Sequence, residues 1–376
     1  VYTVTFAAAT RFDTIDPAIT EAGLRQLWSG APAAPASAPA SAPAGSAVTA
    51  AAPPAAPLTA TVAAAAPDAA APLTATAPYT QIVVLSDTLP ALQVLLGQPG
   101  PAVRGVAAAD EAVDAAWADR ATLALLPFDQ LQPRLAVLSI DGQNPLDNAA
   151  AGYDPGRYPL IVNVYAELAP ADTVQTALAR KALATLPAGN RLPERLTVLA
   201  MTGVTAMTRQ MAAQMDRLGA EWPAAVVSER LAAADITHIS NEVPFVAGCA
   251  VNIDPENFNF CSDPDYMAAL TAVGVDIIGL TGNHQNDFGR ENALKSLAIY
   301  AKAGLPVYGG GVNKEAAFAP LIIEHNGNRL AFLGANSYGP TMAWATDNLP
   351  GSAEFNLAIM SAAIRELKQE GLADVV

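Results

Sequence analysis

The chain is poor in positive charge. It has 20 Lys and Arg against 35 Asp and Glu, a formal net charge of −15 and a pI near 4.5. Nucleic-acid binding needs clustered Lys and Arg to displace counterions from phosphates, so that class of partner is excluded. An anionic membrane surface is excluded for the same reason. A phosphate or polyanion ligand would need a metal or a local nest of N–H groups to offset the charge. Aromatic residues are also scarce, at 6%. Ala supplies much of the 52% hydrophobic fraction, so large core side chains are fewer than that figure suggests. No run reaches the roughly 18 apolar residues of a membrane-spanning helix, and no basic segment followed by an apolar one opens the chain. The first residue is Val1, not Met, and the sequence reads as processed or incomplete at its start.

Histidine and cysteine are nearly absent. The three histidines are His238, His284 and His325. Cys249 and Cys261 flank a loop-like stretch containing Asn252, Pro255, Asn257 and Asn259. With no His in that stretch, a metal site there is disfavoured. A short-range disulfide in an oxidising compartment and two separate thiols both remain open.

At 376 residues the chain has room for two or three domains. Residues 1–30 read as an ordered N-terminal segment, with VYTVTF alternating like a strand and GLRQLWSG ending like a Gly-capped helix. Residues 31–78 collapse to Ala, Pro, Ser and Thr, with PLTAT at 57–61 and again at 72–76. Such a stretch buries too little apolar surface to offset its ordering entropy, and reads as a linker. Order returns over 79–193 as an α/β module, in which QIVVLSD, LAVLSIDG and YPLIVNVYAEL are strands and DEAVDAAWADR has helical spacing. Residues 194–376 form a second, more regular α/β domain. LTVLAMTG, ADITHISN and VDIIGLTGN are its strands, and ENALKSLAIYAKAG is a helix stopped by Gly304. LIIEH and RLAFLGAN make a hairpin over Asn326-Gly327. The strands near 197–202, 236–240, 276–281 and 330–335 are expected in one central sheet. Leu372–Val376 starts a further strand.

Polar clusters follow the apolar strands: TGVTAMTR, SNEVPF, TGNHQNDFG and GANSYGP. Ligands of open α/β sheets bind outside the carboxyl ends of the strands. Asn283 and His284 stand directly after VDIIGLTG, with Asp287 three residues on. His284 can protonate a leaving oxygen, and Asp287 can orient its ring. Glu242, directly after a buried strand, and Asn283 are oxygen donors suited to a hard metal. Thr202, Arg209, Asn241 and Asn336 are the cluster residues assigned to substrate. A capped loop holding a structural His is the alternative for His284. His238 reads as packed and His325 as solvated beside its turn. Gly309-Gly310-Gly311 reads as an anion cradle or a flexible connection.

Taken in order, these segments resemble the CapA family of capsule synthesis proteins, relatives of the calcineurin-like metallophosphoesterases. Ala234-Asp235 through Asn241-Glu242 match one piece of its pattern. Gly274, Asp276, Asn283, His284, Asp287 and Gly289 match the next, and Ala303-Gly304 with Gly309 to Gly311 match a third. The resemblance covers about 180 residues. It implies a layered α/β fold, an extracytoplasmic place and a role with envelope biosynthesis machinery in making an acidic polymer of the poly-γ-glutamate type. It also implies a divalent ion (Mn, Fe, Mg or Zn) and a phosphoester or acidic-polymer substrate. Two departures weaken the metal site. The family's first-strand Asp is Val204 here, and the family's later His-bearing segments would lie beyond Val376. A weakly bound metal in a degenerate hydrolase site is therefore expected, with a non-catalytic binding or assembly module as the alternative. The stretch from LALLPFDQLQPRLAVLSIDG to GRYPLIVNVYA is weakly similar to phosphate-type solute-binding proteins. Ile140, Asp141, Gly142, Pro145, Tyr158, Pro159 and Leu160 carry that likeness, and a solute-binding role is a further alternative. No ligand residues follow from it.

Overall fold

The computed structural model describes residues 1–15, 17–30, 79–165 and 173–376. The linker expected over 31–78 lies outside the described residues. The chain forms two compact units. One holds Phe6–Gly142 and Pro159–Val162, and the other holds Val1–Thr5, Gln143–Tyr158 and Asn163–Val376.

The first unit is built on a mixed sheet. Its strands are β1 (Tyr2–Arg11), β2 (Gln81–Leu85), β3 (Val103–Val106), β4 (Thr122–Pro127) and β5 (Leu135–Val137), in the order β3-β2-β4-β1-β5, with β6 (Ile161–Val164) also pairing β1. β2 runs parallel to β3 and β4, while β1 is antiparallel to β4 and β5. Helix α1 (Ala109–Ala118) lays Ala112, Val113 and Ala116 on Val83, Leu126 and the Ala residues of β1. Phe6 to Ala9 are essentially inaccessible to solvent. Small Ala side chains there let other elements approach closely, which is how an Ala-rich strand serves a core poor in aromatics.

The boundaries expected from sequence fall elsewhere in the fold. Residues 1–30 are not a separate segment, because β1 is an inner strand of this sheet. Hydrogen bonds cross the expected 193/194 boundary. Asp235 Oδ1 accepts from Asn148 Nδ2 and its Oδ2 from Val198 N–H, each at 2.7 Å. Arg191 donates to the carbonyls of Pro145 and Asp147, each at 2.7 Å. These part-buried polar groups find partners, and the pairing ties 143–158 and the 191–198 stretch to the C-terminal strands.

The second unit centres on four parallel strands: β7 (Leu199–Thr205), β8 (Ile236–Asn241), β9 (Ile277–Gly279) and β10 (Val307–Tyr308), in the order β10-β9-β8-β7. The helices α2 (Arg209–Leu218), α3 (Met267–Ala272) and α4 (Arg290–Lys302) cover one face, where Ile239, Ile278 and Leu280 meet Met215, Leu270 and Tyr300. A hairpin of β11 (Leu321–His325) and β12 (Asn328–Phe332) covers the other face. There Leu330 and Phe332 pack on Ile236, Ile277 and Tyr308. The expectation that 330–335 joins the central sheet is thus corrected. Its apolar residues are buried by lying on the sheet, not by extending it. Asn326 and Gly327 turn the hairpin with φ of 49° and 68°, the left-handed pair a two-residue turn requires. His325 is half-buried, its Nδ1 3.1 Å from Thr197 Oγ1, in place of the solvated position expected. Val375 bridges Leu330 in parallel, and α5 (Leu357–Gln369) precedes it.

His238 is buried, as expected. Its Nε2 lies 2.8 Å from Tyr308 Oη, its ring stacks on Phe332, and burial pushes its pKa down. Gly309 to Gly311 are buried close-packed backbone, neither a flexible connection nor an open cradle. A Cβ on Gly309 would lie 2.4 Å from Thr281 Cγ2 and 3.1 Å from Gly334 Cα, and its φ is +72°. Gly304 shares the left-handed φ, at +73°, with open space around it.

These two glycines separate backbone strain from crowding. Gly304→Ala is expected to cost about 1 kcal/mol, the left-handed penalty alone. Gly309→Ala is expected to cost about 2–4 kcal/mol, since overpacking adds to it. Equal losses in urea unfolding of the two variants would refute the close packing of the glycine run.

Candidate functional site

β8 and β9 are adjacent and parallel, so the loops after them leave the sheet at the same edge. Glu242 follows β8. Its N–H donates to Thr205 O at 3.0 Å, which ties it to the end of β7 as well. The loop after β9 presses directly on Glu242 at Gly282. A Cβ there would lie 2.6 Å from Glu242 Cγ and 2.7 Å from its Cα. Only glycine permits that approach.

Two residues on, His284 Nδ1 sits 2.7 Å from Asp287 Oδ2. An ionised carboxylate can only accept, so Nδ1 carries the proton and donates, which leaves Nε2 for chemistry. The same Oδ2 accepts the Phe260 N–H at 2.8 Å, and the Phe260 ring packs on the imidazole with centroids 4.6 Å apart. The side chains of His284 and Asp287 are 17% and 9% exposed. The bond to Asp287 holds the His284 pKa above the usual imidazole range, against the opposing effect of burial. The negative charges of Asp287 and Glu242 add to the rise, and the Arg209 cation opposes it. Glu242 and Arg209 therefore both lie within electrostatic reach of the imidazole. Asn283 is half-buried, with no side-chain hydrogen bond among those of the described residues. Arg209 opens α2 with φ +50°, a left-handed conformation that a non-glycine residue holds only when its surroundings impose it. Its Nη2 donates to Asn257 O at 2.5 Å, and its guanidinium lies over Phe260, 4.8 Å from the centroid.

Three residues assigned to substrate sit elsewhere. The side chain of Asn241 is fully buried and donates to Tyr300 Oη at 2.5 Å and to Val243 O at 3.3 Å. Strand alternation turns it into the core while its successor Glu242 stays half-exposed. Asn336 is 7% exposed. Its Oδ1 accepts from Tyr338 N–H at 2.8 Å and its Nδ2 lies 3.4 Å from Ser352 Oγ, so it organises its own loop. Thr202 bonds to Gly203 O at 3.1 Å, inside a bulge where Met201 pairs with His238 and Val204 with Ser240. Thr205, not Thr202, is the β7 residue beside Glu242.

Other side chains hold the loop, and sequence reasoning passed over them. Gln285 Nε2 donates to Asn241 O at 2.7 Å. Asn286 Nδ2 reaches the carbonyls of Met342, Ala343 and Pro350 at 2.8, 3.2 and 3.2 Å. Arg290 donates to the carbonyls of Trp344 and Pro350. The one available signal was the density of polar residues in NHQND. Phe260 had none, because its place depends on the loop closed by Cys249 and Cys261. These two form a disulfide, with Cα atoms 6.0 Å apart.

The side chains at hand give a catalytic ion no more than a minimal donor set. Such an ion takes at least three protein ligands and keeps an open position. Glu242 and Asn283 are the oxygen donors at hand, and His284 can add Nε2 while its Nδ1 is engaged by Asp287. Among the described residues no three His, Cys, Asp or Glu gather as a metal set. Val204 is 68% exposed and offers no donor.

A parallel sheet under helices, with a charged site at its strand ends, defines an α/β domain of the metallophosphoesterase-like type. Residues 198–376 match the family described as "Bacterial capsule synthesis protein PGA_cap". It is 26% identical over 197 residues to the "Capsule biosynthesis protein CapA" of Bacillus anthracis, covering 51% of this chain and 48% of that protein. The chain thus spans about half the length of the curated relative it matches.

The raised His284 pKa has a testable sign. The protonated pair with Asp287 stabilises the fold fully below the unfolded His value of about 6.5, and this contribution is lost as pH rises through the higher folded value. NMR titration should find His284 above that reference and His238 below it. Asp287→Asn should bring His284 down and flatten the fall of stability above pH 6.5. A His284 value unchanged by Asp287→Asn would refute the assigned cause.

Proposed function

We propose that this protein serves the synthesis of a capsule or envelope polymer of the poly-γ-glutamate type, outside the cytoplasm. Its strand-end site would recognise an anionic group of that polymer or of a precursor. The observation that carries this reading is the His284–Asp287 pair at 2.7 Å, within electrostatic reach of Arg209 and Glu242. A protonated His284 provides a charge-assisted donor for a carboxylate or phosphoryl oxygen, and the Arg209 guanidinium adds positive charge near by. The match of residues 198–376 to the capsule synthesis family supports the polymer assignment. The disulfide is in keeping with an oxidising compartment. Among the described residues no helix is long and apolar enough to cross a membrane.

A second reading, phosphoester hydrolysis, draws on the same pair. His284 Nε2 could give its proton to a leaving oxygen, and the Asp287 bond raises the affinity of the ring for that proton. A bound divalent ion would polarise the phosphoryl oxygen in that chemistry. Glu242 and Asn283 would be its first ligands, and two such donors leave the ion loosely held.

The two readings part in one set of measurements. After dialysis the purified chain is expected to retain well under one divalent ion per molecule and to hydrolyse a model phosphodiester little above background. It is expected to bind γ-linked glutamate oligomers, with His284→Ala weakening them by roughly 1.5–3 kcal/mol, the value of a hydrogen bond to a charged group. Stoichiometric metal with His284-dependent hydrolysis would put the second reading first. Binding indifferent to His284→Ala, without hydrolysis, would defeat both.

A further inference from the structure

Beside the dyad, on the far side of Phe260, the loop closed by the Cys249–Cys261 disulfide folds over the start of α2. It borders a half-open cavity of about 670 Å³, within the range of small-molecule sites. The cavity shares Arg209 and Phe260 with the surroundings of His284, since Phe260 packs on the imidazole. Phe288, from the turn that leads into α4, forms part of another wall.

The electrostatics of this cavity run against those of the chain. Of 55 charged residues, 35 are acidic, yet the cavity lining contains Arg209 and no Asp, Glu or Lys. Asp254 and Glu256, on the same loop, are exposed and do not line it. Arg209 makes no ion pair among the described residues. Its recorded partner is a neutral carbonyl, Asn257 O, which takes one of five N–H donors. A guanidinium that is desolvated on one side and has donors to spare selects a planar oxyanion, which it can grip with two parallel bonds. Its position is imposed: the left-handed φ of +50° at Arg209 is held by the Asn257 bond and by Phe258 and Phe260, 5.8 and 4.8 Å from the guanidinium. Strain kept at a cation facing a cavity is what a preorganised ligand clamp displays. The other walls are apolar or neutral, with Val251, Phe288 and the disulfide among them. They suit the uncharged body of a ligand.

We infer that this cavity is a binding subsite for an oxyanion, carboxylate or phosphoryl, carried by the part of the substrate that extends past His284. Arg209 grips the oxyanion, and Phe260 separates this subsite from the reacting position. The inference rests on the preceding reading for one element, the placement of the reacting group at His284. The cavity and its cation stand on their own geometry.

Calorimetric titration of the full chain tests it with two probes. A γ-linked glutamate pentamer represents the carboxylate source and glycerol 3-phosphate the phosphoryl source. At least one is expected to bind saturably, and the tighter one names the source. Arg209→Gln is expected to weaken that probe about tenfold or more, with Arg209→Lys falling between, because a point charge replaces the planar fork. Phe288→Asp places a like charge in the wall at a partly exposed position and should weaken binding comparably. Thermal melts of the three variants establish that each is folded. Failure of both probes to saturate at millimolar concentration, or binding unchanged by Arg209→Gln and Phe288→Asp, would overturn the subsite. Binding that depends on His284 while ignoring both cavity variants would leave the dyad reading standing and remove this one. Binding that depends on Arg209 and ignores His284→Ala would do the reverse.

Discussion

One carboxylate oxygen, Oδ2 of Asp287, joins the parts on which the site depends. It accepts from the His284 ring and from the Phe260 backbone within 0.1 Å of the same distance, 2.7 and 2.8 Å. The first bond sets the imidazole tautomer and raises its proton affinity. The second anchors the disulfide loop to the loop after β9, which brings the Phe260 ring onto the imidazole and the Arg209 guanidinium onto Phe260. Two hydrogen bonds to one oxygen also help Asp287 tolerate 9% exposure, since donors to a carboxylate stabilise its charge. The neighbouring residues hold this oxygen in place. Gln285 reaches back to Asn241 O and Asn286 forward to the 342–350 loop. In the run NHQND the first residue stays free of side-chain partners and the other four are bound, which is the arrangement expected of a preorganised site with one open ligand.

Most of the second unit was legible because its signals are local. Apolar runs followed by polar clusters mark parallel strands and their carboxyl ends, and that rule alone associated Glu242 with His284. The same rule misread Asn241 because it ignores facing. Alternate residues on a strand point to opposite sides, and Asn241 falls on the side of Tyr300. Asn336 was misread in the same way, since a polar residue after an apolar strand can equally serve its own loop. The hairpin was found, yet its place was not. Whether Leu330 pairs within the sheet or lies across it depends on partners far away in sequence, Ile236 and Ile277. β1 shows the limit most clearly. TFAAAT reads as a modest N-terminal strand, and only its pairing with Thr122–Pro127, more than 100 residues on, makes it an inner one.

The Phe260 contact was beyond reach for a different reason. It requires the Cys249–Cys261 bond to shape a loop of eleven residues between them, and composition left that bond undecided. Once the loop is closed, an aromatic residue beside Cys261 has few directions available. Val204 is the converse case. Its identity was legible and its consequence follows from chemistry alone, since no backbone placement turns an alkyl group into a metal donor.

Net charge and local charge then have to be weighed for any acidic ligand. With a formal charge of −15, the chain as a whole repels a polyanion. That repulsion is screened over about 8 Å at physiological ionic strength, roughly the span of a few side chains. The charges that act on His284 are those of Asp287, Glu242 and Arg209. Glu242 opposes an anion, but it also raises the affinity of His284 for its proton, so the same carboxylate that repels the ligand helps keep a positive donor facing it. A divalent ion at Glu242 would reverse the first effect and weaken the second. The balance at this site therefore turns on whether Glu242 is neutralised by a cation, even a loosely held one, while the anion is bound.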